Sequence, residues 1–380
     1  MKAFTAPAAP TFKFGPAVGF HAELKRQVED YFTRTGRSSR GGWQLAFKSF
    51  IIMAWLAASY CLLVFRAEAW WHAVPLAASL GLAMAAVGFN IQHDGNHGSF
   101  SERGWVSRVA GAGLDLLGGS SYLWRFQHNV LHHSFTNLAG ADHDIDTGGF
   151  GRLSPAQDLR RFHRFQHVYL WFLYATLVLK WQLFDDFHGL ATGRMGLQRI
   201  PPPGKGDLVL FMGGKILFFG LAFVLPSFYH PIWVVLIVYT GTMLLVGFLL
   251  AVIFQLAHSV GEAAHPAYTE SARIPEEWAV HQVRTTVDFA RGNRLLAWYI
   301  GGLNFQVEHH LFTRISHIHY PAISPIVEEV SRRFGLRYSA HPTFGAAVAS
   351  HQRFLRDMGR AAAGDDTVQT PSAAGRSDTR

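Results

Sequence analysis

The sequence predicts an all-α integral membrane protein, with four transmembrane helices arranged as two hairpins beneath a cytoplasmic helical cap. Three observations lead there. The 380-residue chain is 49% hydrophobic and only 16% charged, against roughly 25% charged in an average soluble domain. Four apolar runs, at about 45–65, 73–91, 208–228 and 232–256, each approach the ~20 residues that carry a helix across a ~30 Å hydrocarbon core. The runs come in pairs with connectors of only a few residues, so each pair is expected to cross the bilayer and return.

Residues 1–43 precede the first run as a basic arm carrying Lys25, Arg26, Arg34, Arg37 and Arg40. Within it, Leu24, Val28 and Phe32 recur at i, i+4 and i+8, which predicts an amphipathic helix on the cytoplasmic membrane surface. Residues 1–20 hold no continuous apolar stretch of the signal-peptide kind, so insertion is expected to rely on the internal spans. Lys48 near the start of the first span can reach the interface along its own aliphatic stem. Arg66, Glu68, Trp70 and Trp71 form the first connector, and tryptophans there suit the membrane–water boundary. The second span is rich in Ala and Gly and contains Pro75. The second connector is Tyr229–His230–Pro231.

Two tight hairpins place both termini and the long middle segment on one side. That side carries nearly all the Lys and Arg, so the positive-inside rule makes it cytoplasmic. A fifth apolar run, Val168–Leu183, is short and contains Lys180. A fifth crossing would separate the last histidine cluster from the first two, so this run is read as interfacial or buried in protein. Residues 44–360 then form one membrane domain, and 361–380 a disordered polar tail. The net charge of +8 is read as topology and contact with anionic lipid, with no nucleic-acid partner expected. The lone Cys61 excludes an intramolecular disulfide and a thiolate metal site.

Histidine is the unusual residue, with 21 copies. Three clusters stand near the apolar runs: His93-Asp-Gly-Asn-His97, His128-Asn-Val-Leu-His132-His133 and Gln306-Val-Glu-His309-His310. On α-helices, His93/His97 and His128/His132 each share a face, with His133 on the adjacent one, while Gln306, His309 and His310 are i, i+3 and i+4. Converging from several helices, these seven imidazoles are expected to ligate two metal ions. Imidazole suits Fe, Cu, Ni and Zn, and seven nitrogens exceed one tetrahedral zinc site. Two zinc ions would satisfy the count but are redox-silent, whereas two irons keep open positions for oxygen. Asp94, Asn96 and Asn129 are candidates to orient the rings. His258 ends the fourth run at the depth of His97, and reads either as an interfacial residue or as a further ligand. At Gln306 two readings stand open: its amide oxygen completes the metal shell, or a bound water does. His163 and His167 repeat the i, i+4 spacing without a supporting neighbour and are read as polar residues at the membrane surface. His317 and His319, at i and i+2, are read as structural or near the substrate entrance.

The stretches HDGNHGSFS (93–101), WRFQHNVLHHSFTN (124–137) and GGLNFQVEHHLFTRISHIHYP (301–321) resemble the membrane fatty acid desaturase family in order and interval, over about residues 19–337. Gln306, standing where other desaturases carry the first histidine of the third box, makes the chain most similar to the acyl-lipid front-end branch of Δ6 or Δ5 type. The resemblance implies a non-haem diiron centre, O2 and two electrons from a redox partner. It also implies a histidine ligand after the fourth span, here His258. The expected ligands are thus His93, His97, His128, His132, His133, His258, His309 and His310, with Gln306 contributing to the metal shell or to selectivity. The expected substrate is a lipid-linked or CoA-linked acyl chain that gains a cis double bond. No His-Pro-Gly-Gly haem motif is present and the arm is too short for a fused cytochrome b5 domain, so a separate donor is expected: ferredoxin, cytochrome b5 or a flavin reductase. Two other readings compete. A diiron lipid hydroxylase would use the same cage. A membrane metal transporter would place its ligands near the bilayer midplane, whereas these clusters lie at span ends and the spans lack ionisable pairs.

Overall fold

Two apolar helices joined by three residues, then a long polar excursion, then two more apolar helices, set the architecture. In the computed structural model, residues 12–266 and 273–360 are described. The expected disordered tail, 361–380, and residues 1–11 of the arm lie outside the described residues. Among those described, four helices are long and apolar enough to cross a membrane: Gly42–Arg66, Trp70–His97, Lys205–Ser227 and Ile232–His258. The second and fourth extend beyond their apolar runs to His97 and His258, where protein buries the polar ends. The second span is continuous only by way of a π-helical segment, Gly88–Gln92, which leads straight into His93–His97.

The first and second spans pack through Leu63, Ala67 and Ala73, with Leu76, Ala77 and Leu80 beside them. Trp55 Nε1 and Ser59 Oγ both reach Ser79 Oγ, at 2.9 and 2.8 Å, satisfying polar atoms that lipid cannot. The two short connectors meet each other. Phe65 and Tyr229 are 4.9 Å apart edge to face, and His230 Nε2 lies 2.8 Å from Val64 O. His97 and His258 sit at the opposite ends of their helices, so the histidines gather at the end away from the connectors.

The polar excursions and the C-terminal segment build a cap over that end. The helix Phe20–Thr35 buries Phe20, Leu24 and Val28. Phe20 and Leu24 pack against Val283, Val307, Val327 and Val330, so its apolar stripe is docked on protein. The run Val168–Leu183 breaks into the helix Gln166–Ala175, a short turn of helix and a π-helical segment, Trp181–Asp185. None of these is long enough to span. It lies against the fourth span so closely that a Cβ on Gly247 would stand 2.3 Å from Ala175 O. Its other face exposes Val168, Phe172, Leu183 and Phe184.

Three differences from expectation stand out. The all-α fold carries three small strand pairs, Lys13–Phe14 with Arg273–Ile274, Arg194–Met195 with Gln198–Arg199, and Asp288–Phe289 with Ala340–His341. His163 is buried in protein rather than at the membrane surface. Its Nε2 lies 3.1 Å from Gly149 O and its Nδ1 accepts from Arg160 N at 3.1 Å, so it caps a short helix. The third span does hold half of an ion pair, since Lys215 is buried with its ammonium 2.7 Å from Asp186 Oδ2 and 2.7 Å from Gly118 O.

Candidate metal centre

All eight histidines come together, and each element delivers its share by a different device. His93 and His97 continue the second span by one turn. Gly95 between them permits this: a Cβ there would stand 2.3 Å from Gly111 N, so only glycine lets the following helix close over the turn. His258 is the last residue of the fourth span. His309 and His310 ride on the six-residue helix Gln306–Leu311. Gly301, ahead of that helix, has a positive φ of 61° and a Cβ there would meet Phe89 O at 2.2 Å. The third box is thereby pressed against the second span.

The middle cluster departs from the α-helical expectation. Arg125–His132 is a π-helix, with the His133 N–H bonded to His128 O. The wider turn brings i and i+5 onto one side. His133 therefore faces His128, Nε2 to Nε2 at 3.1 Å, instead of pointing to the next face. Asn137, held at φ 60°, then donates to His258 O, Ala264 O and Thr285 O at 3.1–3.2 Å. That amide ties the end of the second box to the end of the fourth span.

Two principal groups result, each with its potential ligand atoms within 4.8 Å of one another: His93, His97, His128 and His309, and His132, His258 and His310. His133 joins His309 and His310 in a third set and so lies between the two. The Gln306 amide ends 3.0 Å from His258 Nε2, which makes it a neighbour of the second group.

The residues fit a metal. His132 Nδ1 lies 3.1 Å from Asp142 Oδ2, and His310 Nδ1 lies 2.8 Å from Gln282 Oε1. Both partners are acceptors, so each Nδ1 carries the proton and each Nε2 presents a lone pair. Those two Nε2 atoms face each other at 3.2 Å. Two buried lone pairs at that distance repel, unless a metal ion or a proton lies between them. Nitrogens bound about 2.1 Å from one ion stand roughly 3 Å apart. His97 Nε2 and His309 Nε2 are likewise buried with no hydrogen-bond partner. Burial, then the neighbouring imidazoles, holds His128, His133, His309 and His310 far below the usual histidine range, in the neutral form that ligates metal. Burial also pushes His132 down, but Asp142 and Asp144 outweigh it and leave its pKa raised.

Sequence spacing missed the residues behind the rings. Asp142 and Gln282 back His132 and His310. Asp144 Oδ2 lies 3.5 Å from His128 Nδ1, and Tyr320 OH lies 3.1 Å from His309 Nδ1. A signal for the carboxylates was present in Asp142-His-Asp144, which begins ten residues after His132. Of the expected orienting residues, Asp94 braces the cap: it accepts from Ser316 Oγ at 2.8 Å and lies 3.0 Å from His317 Nδ1. Asn129 donates to Asn96 O at 2.9 Å, and Asn96 contacts Gln92 and Gly111. His317 is structural, with Lys48 Nζ 2.9 Å from its Nε2.

Beside the first group opens a cavity of about 370 Å³. His93, His128 and Gln306 line it, with Met84, Phe89, Leu117 and Leu250 along its apolar walls.

An imidazole cage at the end of long apolar helices, opening on a largely apolar cavity, is compatible with a metal-dependent enzyme that acts on a hydrocarbon chain. The chain belongs to the fatty acid desaturase family, whose model matches residues 68–342. It is 39% identical over 350 residues to an sn-1 linoleoyl-lipid 6-desaturase of Arthrospira platensis, covering 91% of this chain and 94% of the relative. A protein of the same description from Synechocystis is 38% identical, covering 93% of this chain and 99% of its own. An acyl-lipid (8-3)-desaturase of Physcomitrium patens is 38% identical over 90% of this chain and 72% of its own length.

Proposed function

We propose that this enzyme is a front-end acyl-lipid desaturase that introduces a cis double bond at C6 of a linoleoyl chain esterified to glycerol. The observation that carries the reading is the convergence of eight buried imidazoles into one cage, with the Nε2 atoms of His132 and His310 facing each other at 3.2 Å. The 6-desaturase descriptions of the relatives support the position of the new bond.

In this reading His93, His97, His128 and His309 hold one iron, and His132, His258 and His310 the other. His133 lies between them, and Gln306 completes the shell beside His258. The ions supply oxygen activation with two external electrons, which is what removal of hydrogen from unactivated methylenes requires. The chain's own residues do the rest. Asp142 and Gln282 fix the tautomers of His132 and His310 by accepting their Nδ1 protons. Trp124, stacked on His128 at 4.3 Å and 26°, walls the cavity beside the cage. Met84, Phe89, Leu117 and Leu250 keep water from the acyl chain and hold it against the histidines.

The four apolar helices form two hairpins of a multi-pass membrane protein, with the cage, the cap and both termini on the cytoplasmic side. Residues 44–360 act as one catalytic domain behind the basic arm. Electrons come from a separate protein, such as ferredoxin, cytochrome b5 or a flavin reductase. The basic face suits an acidic donor.

The test is expression in a host supplied with linoleate and a compatible donor, followed by gas chromatography with double-bond location. A new cis bond at C6 is expected. Hydroxylated chains without a new alkene, or a bond at another carbon, would overturn the reading.

A further inference from the structure

A second, polar chamber of about 220 Å³ adjoins the cavity beside the cage. The two share Gly119, Trp124, Gln127, His143 and Lys180 among their walls. Arg194, Met195 and Gly196 of the Arg194–Arg199 hairpin line it, together with residues between Lys180 and Gly189. Its charges can be counted. Lys180 is paired with Asp185 at 2.8 Å, and Asp186 with Lys215 at 2.7 Å. Arg194 makes neither an ion pair nor a side-chain hydrogen bond among the described residues, and its Nε is buried without a partner. One uncompensated guanidinium therefore faces a chamber that opens toward the cage.

We propose that this chamber receives the phosphodiester end of a glycerophospholipid substrate, with Arg194 as the residue that recognises it. The inference rests on the acyl-desaturase reading and adds the headgroup. A guanidinium binds phosphate oxygens through paired, charge-assisted hydrogen bonds, and the single free cation matches the single charge of a phosphodiester. One free cation does not match the several phosphate charges of the coenzyme A nucleotide. Val168, Phe172, Leu183 and Phe184 are exposed on the helical run beside it, so a diacyl lipid enters sideways from the membrane. Trp124 lines the chamber and also stacks on His128. Headgroup and metals are thus separated by little more than one side chain, which places the reaction near the carboxyl end of the acyl chain.

The test is lipid retention by the purified protein in native mass spectrometry, which needs no electron donor. The probes are dilinoleoyl phosphatidylglycerol, monogalactosyl dilinoleoylglycerol and linoleoyl-CoA. Wild type is expected to hold the phospholipid at least about tenfold more tightly than the other two. Arg194→Gln is expected to erase that preference, and Arg194→Lys to keep part of it. Equal retention of all three probes by the wild type overturns the proposal, whether or not the variants fold. A preference that survives in a folded Arg194→Gln protein overturns it too. Failure of the desaturase reading looks different: the phospholipid preference persists, and no lipid gains a double bond.

Discussion

The two halves of the cage are held by different physics. In the half made of His132, His258 and His310, two of the three imidazoles are backed by an acceptor, Asp142 at 3.1 Å and Gln282 at 2.8 Å. In the half made of His93, His97, His128 and His309, the backing is looser. Asp144 stands 3.5 Å from His128, Tyr320 offers a hydroxyl to His309, and His93 Nδ1 has no hydrogen-bond partner. These rings are positioned mainly by packing, with centroids 4.6 Å apart for His93 with both His97 and His309. One half has its tautomers set in advance, while the other has more imidazoles with less direction. The first is expected to bind its ion more tightly, because an oriented ligand loses less freedom on binding.

The largest effect that probes this contrast is His132→Ala. It removes an oriented ligand and leaves Asp142 buried without its ring. No product should be detectable by gas chromatography, and bound iron should fall by at least one ion per chain. Next comes Asp142→Asn, which keeps the shape but loses the charge behind His132. Iron affinity in that half is expected to drop about 10-fold to 100-fold, measured by chelator competition. Asp144→Asn, acting at longer range, should cost less than Asp142→Asn. An equal or larger loss would remove the contrast between the halves.

Trp124→Ala is expected to be milder. It removes a stacked ring from His128, worth about 0.5–1.5 kcal/mol beyond buried area, and should weaken iron retention a few-fold. The smallest effect concerns the support behind His309. Glu308 and Asp288 are buried together, both reached by Tyr338 OH, at 2.8 and 2.5 Å. Burial pushes Asp288 up to about 6 and Glu308 well above the usual range. For an acid whose pKa is raised by folding, stability is fullest below its unfolded pKa and is lost as pH rises through the folded value. Glu308→Gln should therefore match wild type in unfolding temperature near pH 4 and exceed it increasingly above pH 6. A constant offset across that range would show that the pair does not titrate in this way.

Much of this was legible in the chain. Four apolar runs became four long apolar helices, and the seven clustered histidines lie together with His258, which the family resemblance had added. The position of His258 beside Gln306 joins two residues whose roles were open from sequence alone. What could not be read has physical reasons. The π-helix at Arg125–His132 turns His133 toward His128, and i, i+4 counting on an α-helix sends it elsewhere. Asp142, Gln282 and Tyr320 approach the rings from distant or irregular segments, so no periodicity announces them. His163 caps a helix by hydrogen bonds that its spacing to His167 hides. The spans read as lacking ionisable pairs because the partner of Lys215, Asp186, belongs to a segment outside them.

The most direct measurement is iron content per chain in the purified protein, by inductively coupled plasma mass spectrometry, with a mild chelator titrated in. Two irons per chain are expected, lost in two steps, and Asp142→Asn should bring the later step toward the earlier one. An active enzyme holding one iron or none, or two irons released together and unmoved by Asp142→Asn, would contradict a cage built from one oriented and one loosely backed half.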